Sequence, residues 1–253
     1  MLNVTRTGTP GPTPPLLIAH GLFGSARNWG AIAKRLSDRG EVIVVDMRNH
    51  GASFRDDRHG YPEMAGDLAE VIEHIGAPAD LVGHSMGGKA AMTLALTRPD
   101  LVRRLIVADI APVAYSHSHA GHIAAMRGLD MRGLQSRGEA DQRLAGAIED
   151  AGVRALLLQS LDLKSDPPRW RLNLDALEAE MARILGWPDI EGRFDGPVLF
   201  LSGAESDYVR RDYRDAIKAL FPAARFAKIP AAGHWLHAEK PREFEAAMRA
   251  FLD

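Results

Sequence analysis

The sequence predicts an α/β fold: a mostly parallel central sheet flanked by helices, with a helical cap inserted in its second half. Three observations carry that prediction. Continuous apolar runs such as Leu16-Leu-Ile-Ala19 and Val42-Ile-Val-Val45 suit strands buried on both faces. They alternate with amphipathic helical stretches, the rhythm of βαβ units in a parallel sheet. From about Pro112 to Gly196 the strand-like runs stop, and helical patches broken by Pro167-Pro168 and Trp187-Pro188 take their place.

Taken in order, residues 2–6 read as a short edge strand, and residues 8–15, with four prolines and two glycines, as a loop. The buried strand at residues 16–19 runs into His20-Gly21-Leu22-Phe23-Gly24-Ser25. Ser25 can cap a helix reaching about Arg39, with Trp29, Ile32, Ala33 and Leu36 on one face. The strand ending at Asp46 leads into a loop rich in turn formers, residues 47–53. Residues 62–75 form a helix with Met64, Leu68, Val71, Ile72 and Ile75 inward. A strand from about Leu81 precedes a helix over residues 85–97, which Pro99 stops. Residues 104–110 are the next strand. After the insertion come a strand at residues 197–201, a helix at 211–220, a strand at 225–229 and a closing helix at 241–252. The expected division is a core of residues 1–111 and 197–253 with a cap of residues 112–196.

Composition narrows the function classes. The chain has 253 residues, 46% hydrophobic and 25% charged, enough for a sizeable core. Lys plus Arg is 31 and Asp plus Glu is 33, a net charge of −2, which does not suggest a nucleic acid or a polybasic membrane partner. The absence of cysteine excludes disulfides, thiolate metal sites and a Cys nucleophile. No apolar run reaches the ~18 residues of a membrane span, and no signal-like segment opens the chain. The expectation is a cytoplasmic monomer or homodimer acting on a small molecule.

The chemistry centres on residues 79–91, Ala-Asp-Leu-Val-Gly-His-Ser-Met-Gly-Gly-Lys-Ala-Ala. A short apolar run ends in Gly83-His84-Ser85-Met86-Gly87 and a small-residue helix begins at once. That is G-x-S-x-G in its required strand–turn–helix setting. A serine hydroxyl is a weak nucleophile, so it must be presented to a base and to a carbonyl together. The tight turn does this, and glycine at 83 and 87 removes the Cβ atoms that would clash. The helix starts at the serine, which leaves the Met86 N–H free to face a developing oxyanion. Alone, the motif reads equally as a Gly-rich turn with Ser85 as N-cap. The same letters also fit a P-loop, Gly83-x-x-x-x-Gly88-Lys89, with Asp109 as its magnesium Asp. The P-loop needs Ser or Thr after the lysine, and this chain has Ala90.

What favours catalysis is the set of polar residues at the strand ends, where such sheets bind substrate. Ser85, Asp109, Ser206 and His234 lie there, with Leu22 after His20-Gly21 in position to give a second oxyanion N–H. A loop histidine and a solvated strand-end Asp are the plainer readings of His234 and Asp109 taken singly.

The chain resembles α/β-hydrolase fold proteins along nearly its whole length, and more closely the small bacterial YbfF-type acyl esterases and their mitochondrial hydrolase relatives. The similar segments are His20-Gly-Leu-Phe-Gly-Ser25, Asp46-Met-Arg-Asn-His-Gly51, Gly83-His-Ser-Met-Gly-Gly-Lys89, Asp109-Ile-Ala-Pro-Val113 and Gly233-His-Trp-Leu-His237. The resemblance implies serine-dependent hydrolysis of carboxylic esters or thioesters, acyl-CoA included, with no metal or organic cofactor. Cofactor-free haloperoxidases, lactonases and carbon–carbon bond hydrolases use the same residue set and stay open as alternatives. So, more remotely, does a non-catalytic binding module.

One departure from the commoner hydrolase pattern stands out. Most such enzymes carry G-x-x-D-x-x-V after the strand that ends here at Leu201, and that Asp orients the histidine. Here Gly203-Ala-Glu-Ser206-Asp-Tyr-Val209 puts Ser206 in the slot and Asp207 one residue late. A hydroxyl cannot stabilise an imidazolium as a carboxylate does. The expected acid is therefore Asp109, with Ser206 in support and Asp207 as the competing assignment.

Other features rank lower. His117, His119 and His122 invite a zinc reading, but no cysteine or carboxylate pair accompanies them. Arg169-Trp170-Arg171 could meet a CoA phosphate, though a snorkelling helix rim is the plainer role. Residues 156–158, Leu161, Met126, Met131 and Trp187 could line an acyl pocket or simply pack the cap onto the body. His237 and Glu239 are expected to fix the His234 loop.

Overall fold

The computed structural model describes residues 1–116 and 118–253. Among them the strands are β1 (Asn3–Thr7), β2 (Leu16–Ala19), β3 (Val42–Asp46), β4 (Ala79–His84), β5 (Val102–Ala108), β6 (Leu161–Asp162), β7 (Arg169–Trp170), β8 (Val198–Gly203) and β9 (Ala224–Ile229). Seven form the central sheet in the order β1-β3-β2-β4-β5-β8-β9, parallel except for the edge strand β1. The helices are α1 (Gly30–Leu36), α2 (Tyr61–Ile75), α3 (Met86–Thr97), α4 (Ala120–Gly128), α5 (Arg137–Leu144), α6 (Ala151–Gln159), α7 (Leu174–Ala179), α8 (Met181–Leu185), α9 (Arg214–Leu220), α10 (Leu236–Glu239) and α11 (Pro241–Leu252). None is long and apolar enough to cross a membrane.

The unbroken apolar runs are explained by burial on both sides of the sheet. Successive side chains point to opposite faces. Leu16, Ile18, Val42, Val44, Val82 and Ile106 meet Trp29, Ile32 and Leu36 on one face, with Phe244, Met248 and Leu252 of α11. Leu17, Ile43, Leu81, Leu105 and Val107 face the other way, onto Met64, Leu68 and Ile72 of α2 and onto α3 and α9. Each such side chain, fully buried, contributes about 1.5–3 kcal/mol. The α2 stripe ends where Gly76 takes φ 81° and turns its N–H back to Ile72 O at 3.1 Å, a left-handed cap that suits glycine.

Two expectations need correcting. The single helix expected from Ser25 to about Arg39 is a 3-10 turn, Ala26–Trp29, followed by α1, which stops at Leu36. The segment after β5 is not free of strands, because β6 and β7 pair there as a hairpin of two residues each. Strands that short leave no alternation to read. The segment rises between β5 and β8, neighbours within the sheet, and so sits over the carboxyl ends of the strands. Ser160 Oγ donates to Phe23 O at 3.0 Å, and Asn173 N–H to Asn49 O at 2.9 Å, which fastens it to the loops after β2 and β3.

Candidate active site

The site grows from the turn between β4 and α3. Ser85 holds φ 51°, ψ −119°, a region that a non-glycine residue enters at a cost of about 1–3 kcal/mol. A Cβ on Gly83 would stand 2.3 Å from Gly87 O, and one on Gly87 would stand 2.5 Å from Ala19 O. Both positions therefore require glycine, and their closeness brings the start of α3 against the end of β2. Among the described residues, the non-glycine positive-φ positions are Phe23, Asn49, Ser85, Asp109 and Ala231. Each follows the carboxyl end of a parallel strand, so backbone strain is concentrated at this one rim of the sheet.

There the three sequence-distant groups meet. His234 Nε2 lies 3.1 Å from Ser85 Oγ, and His234 Nδ1 lies 2.7 Å from Asp109 Oδ2. An ionised carboxylate only accepts, so Nδ1 carries the proton and Nε2 is left as the acceptor for the serine hydroxyl. Asp109 is fully buried. Its Oδ1 accepts the Gly203 N–H at 3.1 Å, and its Oδ2 accepts the Ser206 hydroxyl at 2.5 Å. Asp207, the competing acid, is solvent-exposed. The histidine is held from other sides as well. His84 Nε2 donates to His234 O at 2.8 Å, and the Tyr208 ring stacks on the imidazole at 4.0 Å. Glu239 accepts the Gly233 and Trp235 N–H groups at 2.7 and 3.2 Å, fixing the loop. His237 instead stacks on Trp29, with ring centroids 4.2 Å apart.

Leu22 and Met86 border the same small space beside Ser85. The next amide after Leu22 is already committed, because Phe23 N–H donates to His50 Nε2 at 3.1 Å. His50 Nδ1–H in turn donates to Arg48 O at 2.8 Å. On the other side, His59 Nε2 lies 3.3 Å from Met86 Sδ, while Asn49 Nδ2 donates to His59 Nδ1 at 3.1 Å. Burial holds both histidines neutral, His50 well below its ordinary value and His59 lowered to about 3. These two buried rings brace the two segments that carry the candidate oxyanion donors.

Ser85 also opens onto a cavity of about 280 Å³, with Phe23, Trp29, Val153, Leu156, Leu157 and Trp235 in its apolar wall. Leu156 and Leu157 thus line the site, whereas Leu158, Leu161 and Met126 are buried in the core, and Met131 and Trp187 pack against it. His119 and His122 stand edge-on to Phe23 at the same cavity, and His117 lies outside the described residues. Among the described residues no group of three His, Asp or Glu side chains is arranged to hold a metal ion. Arg171 pairs with Asp162 at 2.9 Å and Trp170 Nε1 donates to Met126 O at 2.8 Å, so that triplet builds the hairpin. Lys89 does not face a phosphate cradle; its ammonium donates to Leu185 O and Gly186 O at 3.0 and 2.5 Å. Sequence reasoning missed His50, His59, Tyr208 and the part played by Lys89. Only the Asn49-His50-Gly51 run within a strand-end loop hinted at any of them.

The arrangement can activate a serine hydroxyl against a carbonyl. The chain is also similar to known proteins. The sequence profile described as the alpha/beta hydrolase family matches residues 16–247. The sn-1-specific diacylglycerol lipase ABHD11 of Mus musculus is 42% identical, over 94% of this chain and 81% of its own length. Esterase YbfF of Escherichia coli K12 is 39% identical, over 94% of this chain and 93% of its own. Among solved structures, a marine microorganism esterase superposes with a TM-score of 0.93 at 38% identity, covering 99% of this chain and 98% of that one.

Proposed function

The chain belongs to the alpha/beta hydrolase family and is a carboxylic ester hydrolase, and we propose that it works through a covalent acyl-enzyme on Ser85. The observation that carries this reading is the unbroken chain Ser85 Oγ–His234–Asp109, with contacts of 3.1 and 2.7 Å. Ser85 Oγ attacks the carbonyl carbon as His234 Nε2 takes its proton. The buried Asp109 carboxylate stabilises the imidazolium that results and fixes its tautomer. The Leu22 and Met86 N–H groups hold the negative charge that develops on the carbonyl oxygen. His234 then returns the proton to the departing oxygen. In the second half a water, deprotonated by His234, attacks the acyl-enzyme and frees the acid and Ser85.

Thioesters fit the same steps, since the attacked carbon is again a carbonyl and a thiolate needs less help to leave. The strained Ser85, the buried acid and an apolar cavity beside them support the reading. The test is direct. The wild type should hydrolyse both p-nitrophenyl acetate and acetyl-CoA, and Ser85→Ala neither. Activity on the ester alone would remove the thioester part. Activity that survives Ser85→Ala would remove the mechanism.

A further inference from the structure

On the acyl-enzyme mechanism above, on which this inference rests, His234 is the base in both halves, so the setting of its ring bears on every step. Asp109 holds one edge of that ring, and Tyr208 covers one face, with centroids 4.0 Å and planes 19° apart. An aromatic face favours the cation that forms when His234 takes the serine proton. The backbone of the same tyrosine serves the acid. Tyr208 N–H donates to Ser206 Oγ at 3.3 Å, and Ser206 donates in turn to Asp109. Both contacts depend on where residue 208 sits, yet Glu205, Asp207 and Arg210 around it are exposed. Little packing within the loop after β8 holds it, so the fastening must come from another segment.

Tyr115 supplies it. Its Oη donates to Tyr208 O at 2.7 Å and accepts the Ala111 N–H at 2.9 Å. A phenol has one proton to give. Burial pushes the pKa of this one up, which keeps the proton on the oxygen. Ala111 lies two residues beyond Asp109, so a single hydroxyl joins the loop of the acid to the loop of Tyr208. The Tyr115 ring also lies 5.2 Å from the Tyr208 ring, and Tyr213 meets it edge-on at 6.2 Å. Tyr115 is itself anchored. Its N–H donates to Leu185 O at 3.0 Å, at the end of α8, and Lys89 Nζ lies 4.8 Å from its ring centroid.

We infer that Tyr115 is a positioning residue for the acid–base pair: by tying the carbonyl of residue 208 to the loop after Asp109, it keeps the Tyr208 ring on His234 and the Tyr208 N–H on Ser206. It acts through Tyr208, and it belongs to the segment that lies over the sheet rather than to the strands that carry Ser85 and Asp109.

The experiment measures kcat and KM on p-nitrophenyl acetate for Tyr115→Phe, Tyr208→Leu, their double variant and Tyr61→Phe. Tyr115→Phe should lower kcat by about tenfold, with KM within about twofold of wild type. Tyr208→Leu should also lower kcat by about tenfold. Because one residue acts through the other, the double variant should fall short of the product of the two losses by about threefold or more. Tyr61 Oη donates to Ile184 O, so Tyr61→Phe likewise removes a hydroxyl that ties α8 to the body, but one with no hydrogen bond to residue 208. Its kcat should stay within about twofold of wild type. A wild-type kcat in folded Tyr115→Phe overturns the inference, as does an equal loss in Tyr61→Phe, which would make the effect a general loosening. A double variant equal to the product overturns it too. So does a wild-type kcat in Tyr208→Leu, even where Tyr115→Phe does not fold. Should any of these occur while Ser85→Ala is inactive, the acyl-enzyme reading stands and only the role of Tyr115 falls. Hydrolysis retained in Ser85→Ala overturns both.

Discussion

The Ser206 hydroxyl donates to Asp109 Oδ2 at 2.5 Å, the same oxygen that accepts from His234. The residue in the slot that holds the acid in commoner hydrolases thus supports the carboxylate that takes its place. Asp109→Asn should reduce kcat by close to the ~10⁴ known for a triad acid, because the amide cannot neutralise the imidazolium. Ser206→Ala removes one hydrogen bond, worth on the order of 1 kcal/mol, and should cost about tenfold. Asp207 is exposed, so Asp207→Asn should stay near wild type. Steady-state kcat on one activated ester, with folding checked by circular dichroism, ranks the three. The reverse ranking of the two aspartates would move the acid to Asp207.

The brace under Leu22 makes a second prediction. His50 Nε2 accepts the buried Phe23 N–H, and an aromatic ring without nitrogen cannot. His50→Phe leaves that donor unsatisfied, at about 1–3 kcal/mol. Expressed through the misplaced Leu22 amide, this should lower kcat by about 10- to 100-fold with KM changed much less. Equal losses on both parameters would mean that His50 shapes the binding cavity rather than the oxyanion donors.

Acid should destabilise the fold well above the carboxylate range. Burial lowers the pKa of His20, His50, His59, His84 and His237 below 6.5, and His59 and His237 are lowered to about 3. In the unfolded chain the same groups bind protons near pH 6.5. Between these values the unfolded state holds more protons, so stability is fully present above about pH 6.5 and falls as pH drops toward 3. For His59 and His237 this amounts to up to about 1.4 kcal/mol per pH unit in that window. Urea unfolding at pH 7, 6 and 5 should show the midpoint falling steadily. An unchanged midpoint from pH 7 to 5 would show that these rings are not held neutral.

The parts of the site that local chain geometry dictates were legible in the sequence. Ser85 sits in a turn where Gly83 is demanded by Gly87 and Gly88, a few residues on, although Gly87 is demanded by the distant Ala19 and His20 carbonyls. Asp109 was legible because Ser206 was the wrong residue in a recognisable place. What the sequence concealed depends on long-range partners. Lys89 follows Gly87-Gly88 and so imitates a phosphate-binding lysine, while its true acceptors, Leu185 O and Gly186 O, lie almost 100 residues on. His50 and His59 look like loop histidines until Phe23 and Met86 are seen against them. The β6–β7 hairpin is too short to carry a periodicity.

Covalent trapping identifies the nucleophile independently of any substrate, and Ser85 is the residue it should find. A fluorophosphonate should add one adduct to the intact protein, located by mass spectrometry on the peptide that contains Ser85. Ser85→Ala should take up none, with a melting temperature close to wild type. Labelling of Ser85→Ala at the wild-type rate, or an adduct on another residue of the wild type, would place the nucleophile elsewhere.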